Sequence, residues 1–220
     1  MNKYLLFLLL FIPVAACTDK NATFNAQVNE SVGTDNQDLS LTDLKDRFKF
    51  ANLKVFEIDT LSYGTRPVNY QMLDEKYFNK VWQEKKHSFA EQDFVAEYFH
   101  SWQERNPDLI EFTILTEDES SNCTLLNYCI FDSAGKAVDK FVIAARCGDG
   151  GWVYDSYGKE ISDDTLEVVS VETESELMAS GGISEIVEGD SIVTHFTIGK
   201  DGKVTKKEIS KTLIRREIKN

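Results

Sequence analysis

Beyond Pro107 the chain repeats one pattern: a run rich in β-branched and aromatic residues, then a short polar break carrying glycine. The runs are Leu109 to Leu115, Cys123 to Phe131, Val138 to Ala145, Trp152 to Tyr154, Leu166 to Val171 and Ile192 to Ile198. Among the breaks are Asp132-Ser133-Ala134-Gly135-Lys136, Gly148-Asp149-Gly150-Gly151, Asp155-Ser156-Tyr157-Gly158-Lys159 and Gly199-Lys200-Asp201-Gly202. Each places a glycine where a tight reversal asks for positive φ. Connections this short join only antiparallel neighbours, because a parallel crossover takes about a dozen residues or more. An antiparallel meander follows.

Before Pro107 the period changes. Ser40 and Asp43 have capping-box spacing, and Leu41, Leu44 and Phe48 share a helical face. Leu53 to Ile58 reads as a strand, and Gly64 and Pro67 mark a loop. Leu73, Tyr77, Phe78, Val81 and Trp82 recur at helical spacing between Leu73 and Lys86. Phe94, Val95, Tyr98, Phe99 and Trp102 fit a further helix and a strand about equally, so residues 89–106 stay open. The expectation is an α+β fold: one domain, residues 40–220, with N-terminal helices packed on a C-terminal antiparallel β-meander sheet. The turns at Asp132 and Asp155 share an Asp-x-x-Gly-Lys pattern, which two turns of one type explain without an internal duplication.

The amino terminus tells of location. One basic residue, Lys3, precedes an apolar run from Leu5 to Ile12, and Val14-Ala15-Ala16-Cys17 follows. The run is too short to span a bilayer core and has the layout of a secretory leader, residues 1–16. Val14-Ala15-Ala16-Cys17 resembles the lipobox of bacterial lipoproteins. That resemblance implies thioether lipidation of Cys17, cleavage before it and acylation of its new amino group. Residues 17–39, polar and without period, read as a flexible tether reaching about 25 Å. With Asp-x-x-Gly-Lys hairpins behind such a tether, the chain resembles uncharacterised envelope lipoproteins of the Bacteroidota. The resemblance implies a cell-envelope location, anchored by lipid to a bacterial membrane, the outer membrane first. It implies no activity. Asp59-Thr60-Leu61, Asp132-Ser133-Ala134, Asp164-Thr165-Leu166 and Asp190-Ser191-Ile192 resemble the O-glycosylation acceptor of that phylum.

With Cys17 committed to lipid, three cysteines remain. Cys123 and Cys129 sit in one expected strand about 20 Å apart, beyond disulfide reach. If the turn at Ala134-Gly135 sets one register, Cys123 faces Cys147 directly; a register two residues tighter leaves them diagonal. A Cys123–Cys147 bridge with a buried free Cys129 is one expectation, three free thiols the other.

A formal charge of −13, from 24 basic and 37 acidic residues, opposes nucleic-acid binding, which needs a basic footprint. Three histidines supply little for a metal centre, and no metal or cofactor is expected. A nucleophilic Cys147 on its glycine-rich turn needs a base from His87, His100 or His195, and none of these stands in a recognisable signature. Asp149, Asp155, Asp163 and Asp164 lack the alternation of a calcium loop. Trp152, Tyr154 and Tyr157 are candidate binding aromatics for a protein or glycan, and their alternative fate is core. Glu160 to Asp190 carries ten acids and no Lys or Arg, while Lys200 to Lys219 carries eight basic residues. Complementary neighbouring strands explain this, as does an acidic face for a basic target. The functional expectation is a non-catalytic envelope lipoprotein acting as a binding module, with an inhibitor or immunity-type protein as one form. Its rival is a small tethered hydrolase using Cys147 or the nearby Asp149 and Asp155.

Overall fold

The computed structural model describes residues 40–58, 70–83, 95–177 and 183–219. A 3₁₀ segment (Leu41–Arg47) is followed by β1 (Phe50–Ala51), β2 (Val55–Phe56) and α1 (Glu75–Val81). Eight strands complete the chain: β3 (Val95–Gln103), β4 (Leu109–Asp118), β5 (Cys123–Asp132), β6 (Ala137–Asp149), β7 (Trp152–Glu160), β8 (Thr165–Leu177), β9 (Ile183–Ile198) and β10 (Val204–Lys219). They form one sheet in the order β1-β3-β4-β5-β6-β7-β8-β9-β10, with β2 pairing β7. From β3 onward every pairing is an antiparallel hairpin between chain neighbours.

This corrects the α+β expectation. The described residues are mostly strand, with two helical pieces of seven residues each, so no layer of N-terminal helices forms on the sheet. The capping box at Ser40 is present, but it opens a 3₁₀ segment that stops at Phe48. Asp74 caps α1, which ends at Trp82. Within the open segment, Val95–Gln103 form strand β3. Its apolar spacing imitates a helix for two reasons: a bulge between Phe99 and Ser101 shifts the alternation, and both faces are buried.

Two clusters explain that burial. Leu41 and Leu44 of the 3₁₀ segment and Tyr77, Phe78 and Val81 of α1 join Phe99, Phe112, Ile114 and Phe131 in one. Alternation sends Tyr98, Leu115, Leu126, Tyr128 and Ile130 to the other side, where they meet Leu166, Val168, Phe196 and Ile198. The sheet therefore curls until β8 and β9 share a core with β4 and β5. Phe141 and Phe196 stack across it at 4.4 Å between ring centres.

The curl has a local cause. Strand β6 pairs with β7 only from Ala145 to Asp149, and β2 lies along β7 at Gly158 and Lys159 instead. The break expected at Asp155 to Lys159 is thus no turn; it lies inside β7, and the reversal comes at residues 161–164. Gly158 serves close approach: a Cβ there would sit 2.5 Å from Ile143 Cδ1 and 2.8 Å from its carbonyl oxygen. The other three glycine breaks are turns, with positive φ at Gly135, Gly150, Gly151 and Gly202.

The β5–β6 hairpin realises both cysteine registers in succession. Phe131 faces Ala137 beside the turn, two shifts intervene, and Cys123 ends opposite Cys147. The two are disulfide-bonded, and Cys129 is free and buried.

Candidate functional site

In β8, Leu166 and Val168 point into the core, so Val169, Val171 and Thr173 take the opposite face. Register carries that face across the sheet: Tyr157 opposes Val169, Asp155 opposes Val171, Val153 opposes Thr173, and Ile214 lies beyond Gly189. These residues line an open groove of about 510 Å³ together with Ile58 and Val187. Tyr157 is 46% exposed and Val153 43%, so apolar surface stands in water without cover from any described residue. Charged groups rim it. Arg146 Nε donates to Asp155 Oδ1 at 3.0 Å, and Glu57 and Arg216 complete the border. An apolar floor with a polar rim is the anatomy of an association surface.

The three candidate aromatics are not brought together. Tyr157 lines the groove, whereas Trp152 and Tyr154 occupy the opposite face, half-buried. Trp152 Nε1 donates to Glu172 Oε1 at 2.9 Å. Groove residues Val153, Val169, Val171 and Ile214 went unnoticed in the sequence. Their alternation with Leu166 and Val168 is legible only once the inward face of β8 is known.

The candidate catalytic groups are dispersed. Cys147 is held in its disulfide and presents no thiolate. Asp155 is paired with Arg146. His100 is buried, its ring stacked on Tyr70 and its Nδ1 2.9 Å from Thr113 Oγ1; burial pulls its pKa down to about 4. His195 Nε2 lies 3.0 Å from Glu167 Oε2. Burial pushes the Cys129 thiol up to about 12, beyond ready ionisation. His87 and Cys17, with the leader, the tether, Gly64, Pro67 and the Asp59 tripeptide, lie outside the described residues. Of the remaining acceptor-like tripeptides, Ser133 is exposed in a turn, while Thr165 and Ser191 lie within strands. Among the described residues no three His, Cys, Asp or Glu side chains gather as a metal site. Nor is any described helix long and apolar enough to cross a membrane.

Part of the acidic run is answered from within. Asp190 pairs with Lys211 at 2.7 Å and Glu188 with Arg215 at 3.0 Å across β9–β10, and Glu167 pairs with Lys159 at 2.9 Å. Those partners hold the Glu167 carboxyl below its ordinary range. Complementary neighbouring strands account for part of the charge segregation.

A second polar assembly stands where β3 and β7 end. The Arg105 side chain is 7% exposed, and its Nη2 donates to the Asp163 carbonyl at 2.7 Å. Tyr128 Oη donates to buried Glu111 Oε2 at 2.6 Å. Burial raises the Glu111 pKa, against the opposing hydrogen bond from Tyr128 and the charge of Arg105. Small cavities open on either side of the guanidinium.

Comparison with family models, with curated proteins and with solved structures returned no match to this chain.

Proposed function

We propose that the chain is a non-catalytic lipoprotein of the cell envelope, tethered through Cys17, that binds a protein partner on the open face of β7–β10. One observation carries the reading: the Val153–Tyr157–Val171 groove brings apolar side chains together on one open sheet face, rimmed by charged groups. The lipobox-like Val14 to Cys17 supports the location, and the residues 17–39 supply reach from a membrane. As an inhibitor or immunity-type protein the chain would meet its target at this groove rather than at the acidic run, where Glu167, Glu188 and Asp190 are already paired.

The test joins both parts. Labelled palmitate should enter the wild-type protein and not Cys17→Ser. A photocrosslinking residue at Val171 should trap one discrete protein in native cells, and the same residue at Ser133 should not. Equal crosslinking at both positions would remove the groove from the account. Unchanged palmitate labelling in Cys17→Ser would remove the anchor.

A further inference from the structure

The cavity beside Arg105 has a composition unlike the groove. Its lining is wholly polar: Asn52, Lys54, Gln103, Glu104, Arg105, Glu160 and Asp163 around about 300 Å³. That is the lower end of the range for small-molecule sites. The walls are pinned. Asn52 takes a left-handed φ of 53°, and its Oδ1 accepts from Glu104 N at 2.9 Å, tying the β1–β2 link to the end of β3. Glu160 N donates to the Lys54 carbonyl at 2.8 Å.

Three lining side chains each keep one buried heteroatom without a hydrogen-bond partner: Gln103 Oε1, Arg105 Nε and Glu160 Oε2. Gln103 is 2% exposed, and the Arg105 and Glu160 side chains are 7% and 10% exposed. Leaving such groups unsatisfied is costly, about 1–3 kcal/mol apiece, so their coincidence in one cavity demands a reason. Arg105 Nε and Glu160 Oε2 are 3.6 Å apart, attracted by charge but too far for a hydrogen bond. All three atoms are closed off from solvent in the structure, so a ligand reaches them only by displacing part of the wall. One oxygen then lying about 2.8 Å from Nε and Oε2 would accept from the first and donate to the second. A hydroxyl does both. A second hydroxyl would donate to Gln103 Oε1, since that position too asks for a donor.

Charge narrows the class further. Lys54 and Arg105 face Glu104, Glu160 and Asp163, so the cavity offers no excess of positive charge to a free anion. Cationic ligands would meet the guanidinium at its centre. A neutral ligand with adjacent hydroxyls fits both the donor–acceptor pattern and the charge. We propose that the Gln103–Arg105–Glu160 cavity binds a neutral polyhydroxyl ligand, a single sugar unit or the end of a glycan. Lys54, whose side chain is 69% exposed and whose ammonium lies 2.6 Å from Glu160 Oε1, is the movable part of its wall. This site is separate from the groove and does not depend on it.

The probes are methyl α-glucoside, methyl α-mannoside, methyl α-galactoside and N-acetylglucosamine at millimolar concentration, with sodium sulfate and ethanolamine as charged controls. Saturation-transfer NMR on the wild-type protein should show at least one glycoside bound. The Arg105 Nε–H resonance, assigned by its loss in Arg105→Lys, should shift with that glycoside. Gln103→Met and Glu160→Gln should each weaken binding tenfold or more, and Ser133→Ala, in an exposed turn, should leave it unchanged. Absence of transfer from every glycoside would overturn the proposal. So would a response to sulfate or ethanolamine alone, or binding that leaves the Arg105 resonance in place. Saturation transfer is read on the wild-type protein, so the test survives even if a variant fails to fold.

Discussion

Strands β3–β5 and strands β7–β10 are built from the same hairpin unit and live in opposite surroundings. In the first group both faces are covered, and Phe112, Ile114, Leu126, Tyr128 and Ile130 are essentially inaccessible. In the second, one face joins the core through Leu166, Val168 and Phe196, while Val153, Tyr157 and Leu213 stand exposed on β7 and β10. Tyr157 and Val153 belong to the uncovered groove face. The contrast assigns separate tasks. The first group carries stability, and the second carries the face proposed above for association.

Truncation on each side should expose that division most strongly. Phe112→Ala removes a ring packed between Phe48, Trp102 and Phe131 and should cost about 3–5 kcal/mol. Val171→Ala, on the groove, should cost less than about 1 kcal/mol. Urea titrations of both variants decide it: equal losses would mean that the groove face is as structural as the core. Next in size comes the disulfide, which ties β5 of the first group to β6, the strand between the two. Replacing Cys123 and Cys147 together with serine should cost about 3 kcal/mol, from a cross-link over 24 positions. A loss below about 1 kcal/mol would show that the β5–β6 register holds without it.

The same contrast explains which parts were readable from sequence. Turns at Gly135, Gly150 and Gly202 were legible because positive φ at a glycine is a local demand. Facing of Cys123 and Cys147 was legible as one of two registers; the bulges that connect those registers were not, because they answer to packing. Strand β3 was ambiguous because Glu97, His100, Ser101 and Gln103 are buried polar residues that break the apolar alternation. Gly158 looked like a turn residue, and its reason is Ile143, a contact fifteen positions away. β10 was noticed only as a basic run, since an edge strand with few buried side chains carries little hydrophobic period. The Arg105 cavity left no trace in sequence, because Asn52, Gln103, Arg105 and Glu160 come from three separate segments.

Polar burial in the covered group should also write its pH dependence. Glu97 is 6% exposed, accepts from Trp82 Nε1, and is pushed up to about 7 by burial. Its folded value lies above the unfolded one, so its favourable contribution is complete below about pH 4.5 and is lost as pH climbs through 7. Glu97→Gln keeps an acceptor for Trp82 and should stabilise the protein above pH 7 by on the order of 3 kcal/mol, with no gain at pH 4. His100 runs the other way. Its value falls to about 4, so its contribution is present above about pH 6.5 and disappears on acidification through 4. Melting temperatures of wild type and Glu97→Gln from pH 4 to 9 would show the two curves together near pH 4, parting between about pH 4.5 and 7 and staying apart above it. Parallel curves would place the Glu97 carboxylate in contact with water.

The smallest effect belongs to the open group. Arg215 and Glu188 pair at 3.0 Å with both side chains more than half exposed. Exposed pairs contribute about 0.2–1 kcal/mol, screened by salt. A double-mutant cycle of Arg215→Gln and Glu188→Gln should give a coupling in that range at low ionic strength and close to nothing at 1 M salt. A coupling that persisted in salt would mean that the β9–β10 charges are shielded from solvent. The second half of the sheet would then be less open than its exposed side chains indicate, and its claim to be the associating half would weaken with it.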